Sequence, residues 1–314
     1  MSSSKIKLFA GTSHPELCRA IGKYLKLDVS PMEISRFACG ETYAKPLVTV
    51  RGSEVFIVQT CTHEVNEDLM ELFIILDSLK RSFAQRVHVV IPHFGYARQD
   101  RVASAREPIS AKLVANLIAT AGADHLVTIT LHSDQEQGFF DFPVDNVSTH
   151  RLFVEYVKKK KIKDLVVVAP DAGAVKDVRR FANMLNAPIA MIHKMRPKHN
   201  VSQVTDVVGD VEGKRCLIFD DMIDTAGSVC AAKEALIKHG AHKDMFLVAT
   251  HPVFSGPAVE RLKKAAFKEV LVTDSVPLGK EKHFKGLKVL SVAPLLARII
   301  KNVYEGKSVT GLVS

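Results

Sequence analysis

Seven short runs rich in Val, Ile and Leu recur along the chain: VFIVQT (55–60), VHVVIP (87–92), HLVTITL (125–131), LVVVAP (165–170), CLIF (216–219), MFLVAT (245–250) and EVLVTD (269–274). They are apolar without alternation, the pattern of a strand covered on both faces. Helical stretches lie between them, among them 66–82 and 110–122; the second opens behind Pro108 and closes on Gly122. Those are boundary signals at both ends of one helix. Strand and helix in regular alternation predict an α/β fold with parallel sheets flanked by helices.

The chain also repeats itself at an offset of about 160 residues. KLFAGTSHPELCRAIGKYLKLDVSP (7–31) parallels LVVVAPDAGAVKDVRRFANMLNAPIA (165–190), FIVQT parallels LIFDD, and IPHFGY parallels THPVFSG. Two copies of one βα domain are therefore expected. The first should span 1–148, rejoined by 296–314, and the second 149–295. Their loops differ: QTCTHE in the first copy stands where FDDMIDTAGS stands in the second. Divided labour between copies suits a site built from two domains. Helix 66–82 carries a core stripe of Leu69, Leu72, Phe73, Leu76 and Leu79, widened by Met70, Ile74 and Ile75. A deeply buried helix and a subunit interface both fit that breadth.

Composition excludes several classes. At 47% hydrophobic and 25% charged residues, the chain has the balance of a folded globular protein rather than a disordered one. No apolar run has the length of a membrane span, and MSSSKIKLFAG lacks the apolar core of a secretion signal. Five scattered cysteines (18, 39, 61, 216, 230), without a CxxC, read as reduced thiols of a cytoplasmic protein. The net charge of +9 predicts an anionic partner, for which polyphosphate ligands and nucleic acid both qualify. No basic stretch is interleaved with aromatics for base stacking, which speaks against nucleic acid. The basic run 158–161 reads as a solvated helix end.

The densest chemistry lies in CLIFDDMIDTAGSV (216–229). Asp220 and Asp221 follow a strand, and ligands of doubly wound sheets bind beyond the carboxyl ends of strands. Thr225, Ala226, Gly227 and Ser228 then offer backbone N–H groups and two hydroxyls at a helix start, a phosphate cradle. Carboxylates repel phosphate, so Asp220, Asp221 and Asp224 must face sugar hydroxyls or a metal. A phosphorylated ribose satisfies both halves. Elsewhere, YARQDRVASAREPIS (96–110) carries Arg98, Arg101 and Arg106 with few core-forming residues, the composition of an exposed loop. In HKMRP (193–197), Lys194 and Arg196 share a side if the segment is extended. His132 and Asp171 each follow an apolar strand.

DDMIDTAGS resembles the fingerprint of proteins that bind phosphoribosyl diphosphate. With NEDLMEL, PHFGYARQDR, REPISAKL, LHSDQEQGFFD, PDAGAVKDV, HKMRP and THPVFSGPA, nearly the whole chain resembles the ribose-phosphate diphosphokinase family. The resemblance implies two duplicated phosphoribosyltransferase-type domains. It implies that the 1-hydroxyl of ribose 5-phosphate attacks the β-phosphorus of ATP, releasing AMP. It assigns ATP to Arg98, Gln99, Asp100 and Arg101, with Phe37, Gly40 and Glu41 at the adenine and His132 at the nucleotide. Mg²⁺ falls to His132 and Asp171. Lys194 and Arg196 stabilise the phosphoryl group in flight. Asp220 and Asp221 hold the ribose hydroxyls with Asp224 nearby, and Thr225, Ala226, Gly227 and Ser228 hold the 5-phosphate. A homo-oligomer, dimer-based and up to a hexamer, is also implied, with no nucleic-acid or membrane partner. The family's F-S-D-G-E segment here reads Phe37-Ala38-Cys39-Gly40-Glu41; Ala174 stands for a glycine, Thr130 for an aspartate, and Gly311 for an aromatic. Two alternatives remain: a non-catalytic regulatory homologue, whose active-site losses or loop insertion are not seen, and a regulator or phosphoribosyltransferase on the same fold, which needs only one copy.

Overall fold

The computed structural model describes residues 6–195 and 204–312. It divides into two units, the first running to Ser148 and taking back Ser275–Pro277 and the chain from Ser291, the second formed by Thr149–Asp274 and Leu278–Leu290. Each is an α/β layer built on its own sheet.

In the first unit the strands are β1 (Ile6–Ala10), β4 (Glu54–Val58), β5 (Arg86–Ile91), β6 (His125–Ile129) and β7 (Val144–Val147), adjacent in that order and all parallel. A further parallel bridge joins Leu8 to Val29 outside β1. Between β1 and β4 the chain makes α1 (Pro15–Leu25) and an antiparallel hairpin of β2 (Met32–Arg36) and β3 (Thr42–Pro46). One sheet face packs on α2 (Val65–Arg81) and α3 (Ser110–Ala121), through Phe9, Ile57, Leu72, Leu76, Val89 and Ile118 among others. The helix expected over 110–122 ends as its Gly122 signal predicts, with that residue left-handed at φ 110°; only glycine adopts such an angle without strain.

The second unit has β8 (Leu165–Ala169), β9 (Ile189–Met195), β10 (Val204–Val208), β11 (Arg215–Ile223), β12 (Phe246–Pro252), β13 (Glu269–Thr273) and β14 (Leu287–Leu290), in the spatial order β10-β9-β8-β11-β12-β13-β14. Only β10 is antiparallel to its neighbour. The helices are α4 (His150–Lys160), α5 (Val175–Leu185), α6 (Gly227–Lys238) and α7 (Ala258–Ala265); α8 (Ala293–Tyr304) belongs to the first unit, where it packs on α1. The repeat is visible element by element: β1 and β8 begin at 6 and 165, α1 and α5 at 15 and 175, and β4 and β11 at 54 and 215.

The face of the first sheet away from α2 and α3 buries a polar ladder. Phe56, His88 and His125 lie side by side on β4, β5 and β6. His88 stacks on Phe56 at 4.3 Å between centroids, its Nδ1 lies 3.1 Å from His125 Nδ1, and His125 Nε2 meets Asp145 at 3.1 Å. Burial, with the charges of His125 and Arg86 adding to it, lowers the His88 pKa to about 4; Asp124 and Asp145 pull the other way. Glu54 lies 3.6 Å from Nε2. Between the ordinary histidine value of about 6.5 and about 4, the unfolded chain binds the proton and the folded chain does not, so stability falls as pH falls through that window. Relative to His88→Phe, the parent should lose on the order of 3 kcal/mol more between pH 7 and pH 4. Urea midpoints at both pH values check this; equal losses in both proteins would remove His88 as the cause.

Candidate active site

Each sheet has the same topological reversal. Chain order runs from β8 outward to β9, then returns to β11 and continues away through β12 and β13, giving the 2-1-3-4-5 arrangement. The bridge at Val29 supplies the equivalent of β9 in the first unit. Such sheets leave a crevice at the carboxyl ends of the two strands where direction reverses. In the second unit those strands are β8 and β11, followed by Asp171 and bearing Asp220 and Asp221.

The sequence ends this strand at Phe219, because acidic residues are poor strand formers. In the structure it runs on to Ile223. Pairing with β8 stops at Ile218–Val168, but pairing with β12 continues to Ile223–Pro252. The two aspartates therefore sit on ordered strand, held by β12 on one side and overhanging β8 on the other. Asp220 is half-buried. Burial first, then the charge of Asp221, a hydrogen bond between the two side chains and the charge of Asp171, raises its pKa well above the ordinary value. A site with that imbalance is relieved by a cation or by hydroxyl donors.

The strand turns directly into a helix start. Phe254 N donates to Ile223 O and Ser255 N to Asp224 O, both at 3.0 Å, which fixes the path after the strand. Arg261 Nη1 of α7 donates to Thr225 O at 3.0 Å. Ala226 is left-handed at φ 59°, and no side chain caps α6. The first-turn N–H groups of Gly227, Ser228 and Val229 thus lack intrahelical acceptors, while no acidic residue occupies that turn. Together with the hydroxyls of Thr225 and Ser228, both exposed, this is an anion cradle next to a pair of carboxylates. Arg261 was not singled out by the sequence; its signal is an ordinary charged helix position.

Asp171 is exposed, and its Oδ1 accepts the N–H groups of Gly173 and Ala174 at 2.9 and 3.2 Å. Among the described residues no three His, Cys, Asp or Glu side chains form a chelating group. The donor set still suits Mg²⁺, which takes one or two carboxylates, keeps waters and shares substrate phosphates. Lys194 belongs to β9, opposite Thr205; β9 adjoins β8, so the backbone brings it to the same strand-end rim as Asp171. Its side chain and the whole of Arg196 lie outside the described residues.

The corresponding crevice of the first unit is filled by its own side chains. Glu71 accepts Thr12 N at 2.7 Å and Thr12 Oγ1 at 2.6 Å. Gln59 Oε1 accepts Ser13 Oγ at 2.7 Å, and its Nε2 donates to Glu71 at 2.9 Å and to Asp68 O at 3.1 Å. Gln59 and Glu71 are 2% and 5% exposed. A Cβ at Gly11 would stand 2.2 Å from Gln59 Oε1, so only glycine lets the network close. A carboxylate here takes an N–H of the loop after β1; residues 230–232 of α6 carry no such acid.

The remaining candidates of the first unit are exposed. Phe37 is 56% exposed at the tip of the β2–β3 hairpin, closed by Phe37 N to Glu41 O at 2.9 Å, with Gly40 at φ 95°. Residues 98–109 are exposed apart from half-buried Asp100, as the composition of 96–110 predicts. Gln99 ties this loop to α3, accepting Ser110 Oγ at 2.6 Å and, through its carbonyl, Ala111 N at 3.2 Å. Arg98 and Arg101 are exposed. His132 is exposed beyond β6, just ahead of a 3₁₀ turn (Asp134–Phe139) whose Ser133 and Glu136 form a capping box.

Residues 6–122 match the family described as the N-terminal domain of ribose phosphate pyrophosphokinase, and residues 194–314 the phosphoribosyl synthetase-associated domain. The ribose-phosphate pyrophosphokinase of Caldanaerobacter subterraneus subsp. tengcongensis is 47% identical over 99% of this chain and 98% of its own. That of Bacillus subtilis is 45% identical over 98% and 97%. The crystal structure of phosphoribosylpyrophosphate synthetase from Mycobacterium smegmatis superposes with a TM-score of 0.92 at 43% identity, covering 96% of this chain and all of that one. Duplicated fold, reversal-point carboxylates and anion cradle thus coincide with full-length kinship, and the chain belongs to the ribose-phosphate pyrophosphokinase family.

Proposed function

We infer that the chain is a ribose-phosphate diphosphokinase, transferring the β,γ-diphosphoryl group of ATP to the 1-hydroxyl of ribose 5-phosphate. The observation that carries this reading is the pairing of an uncapped helix start with two strand-borne carboxylates in the second unit. The 5-phosphate takes the N–H groups and hydroxyls of 225–228, and the ribose hydroxyls donate to Asp220 and Asp221, with Asp224 beside them. Arg98, Gln99, Asp100 and Arg101 hold the ATP phosphates, for which a planar guanidinium fork is suited. Phe37, Gly40 and Glu41 meet the adenine, and His132 the nucleotide. Lys194 and Arg196 neutralise charge on the group in transit, the main requirement of phosphoryl transfer. Asp171, with His132, would hold Mg²⁺, which when bound neutralises phosphate charge. The first unit is then the ATP domain and the second the ribose domain. Exposed Met70 on α2 and Leu113 and Leu117 on α3 support a homo-oligomer, and five free thiols a reducing, cytoplasmic setting.

The test is the product set. With ATP, Mg²⁺ and ribose 5-phosphate, with and without added inorganic phosphate, AMP should appear in step with 5-phosphoribosyl 1-diphosphate. Release of ADP instead would indicate transfer of one phosphoryl group and overturn the reading.

A further inference from the structure

A second charged feature lies at the opposite, amino-terminal edge of the second sheet. A cavity of about 430 Å³ there is lined by Lys160, Lys161, Lys163, Arg215 and Lys268, with Glu269 as the sole lining carboxylate. The cations come from three separate segments: the end of α4 and the turn after it, the first residue of β11, and the residue before β13. A helix end accounts for Lys158 to Lys160 through the helix dipole; it does not account for Lys163, Arg215 and Lys268 converging on the same space. Lys160 is matched by Glu269 at 2.7 Å and lies over Tyr156 at 4.8 Å, and Lys268 is matched by Asp244 at 2.9 Å. Among the described residues Lys161, Lys163 and Arg215 take part in neither of these ion pairs, although the charge of Arg215 is felt at Asp244. Ile162 and Phe246 supply an apolar wall.

We propose that this cavity is a binding site for a small polyphosphate anion, separate from the site at the carboxyl ends of the strands. Five cations against one carboxylate leave the concave lining predominantly positive, which concentrates anions, and the volume falls within the roughly 300–1,000 Å³ of small-ligand pockets. Lys161 and Lys163 on one segment and Arg215 on another, each outside these direct ion pairs, suit an anion bearing several linked phosphates better than a single phosphate. The run 158–161, which the sequence alone reads as a solvated helix end, is thereby divided: Lys160 and Lys161 line the cavity, and Lys158 and Lys159 do not.

The experiment is hydrogen–deuterium exchange of the full-length protein, read on peptides covering 160–166 and 214–218. Inorganic triphosphate at millimolar concentration should slow exchange there, whereas ribose 5-phosphate should not. Lys161→Glu with Lys163→Glu should weaken that protection at least ~tenfold in apparent affinity, as reversing charges at a specific contact does. Lys158→Glu with Lys159→Glu changes the net charge equally and should leave it within about twofold. A parallel series with ATP separates the sources: protection at lower concentration than with inorganic triphosphate identifies a nucleotide-borne polyphosphate, and the reverse a free one. No protection in the parent, or equal loss in both variants, overturns the proposal.

Discussion

Lys194→Ala should lower kcat by on the order of 10²–10³, the loss expected from removing one preorganised donor to transition-state charge. The KM values for ATP and ribose 5-phosphate should change far less, because in the proposed role the ammonium group acts on a charge distribution that neither ground state has. The backbone supports this placement: β9 adjoins β8, and Lys194 lies beyond the last β8–β9 pair at Ala169–Met191. Steady-state kinetics of the variant decide it. A kcat within a few-fold of the parent would mean that Lys194 does not contact the transferring group.

Asp220→Asn together with Asp221→Asn should weaken ribose 5-phosphate binding by ~10²–10⁴, since two hydrogen bonds to charged acceptors contribute about 1.5–3 kcal/mol each. ATP binding should be largely unchanged, and Arg98→Ala should show the reverse selectivity. The double variant should also be at least as resistant to heat as the parent. Asp220 is held near Asp221 and Asp171 at the expense of its ionised form, so neutral amides remove repulsion that the folded protein otherwise carries. Lost affinity with retained Tm identifies a ligand contact; lost affinity with a lowered Tm would identify a structural one. Equal loss of both ligands in both variants would contradict the division of labour.

Much of this was legible in the sequence, for reasons that can be located. Unbroken apolar runs such as LVVVA (165–169) mark strands buried on both faces, and Gly122 marks a helix end, because each signal is local. The repeat gave two sheets because copies keep their strand order. The extension of β11 through its acids was not legible, since it depends on β12, whose paired residues are some 29 positions away. Nor was the closure of the first crevice. Glu71 sits on α2 within NEDLMEL, and only the folded chain brings it to Thr12, 59 residues distant. A side chain that reads as one more charged helix position proves to be the group that holds the loop after β1.

That closure makes the account quantitative. If the two copies are unequal because Gln59 and Glu71 occupy one crevice while the other is open, the chain has a single place for ribose 5-phosphate. Calorimetric titration of the parent, scored against active chain concentration, measures this directly. One molecule bound per chain, and none in Asp220→Asn with Asp221→Asn, is the predicted result; two per chain, or undiminished binding in the double variant, would contradict it.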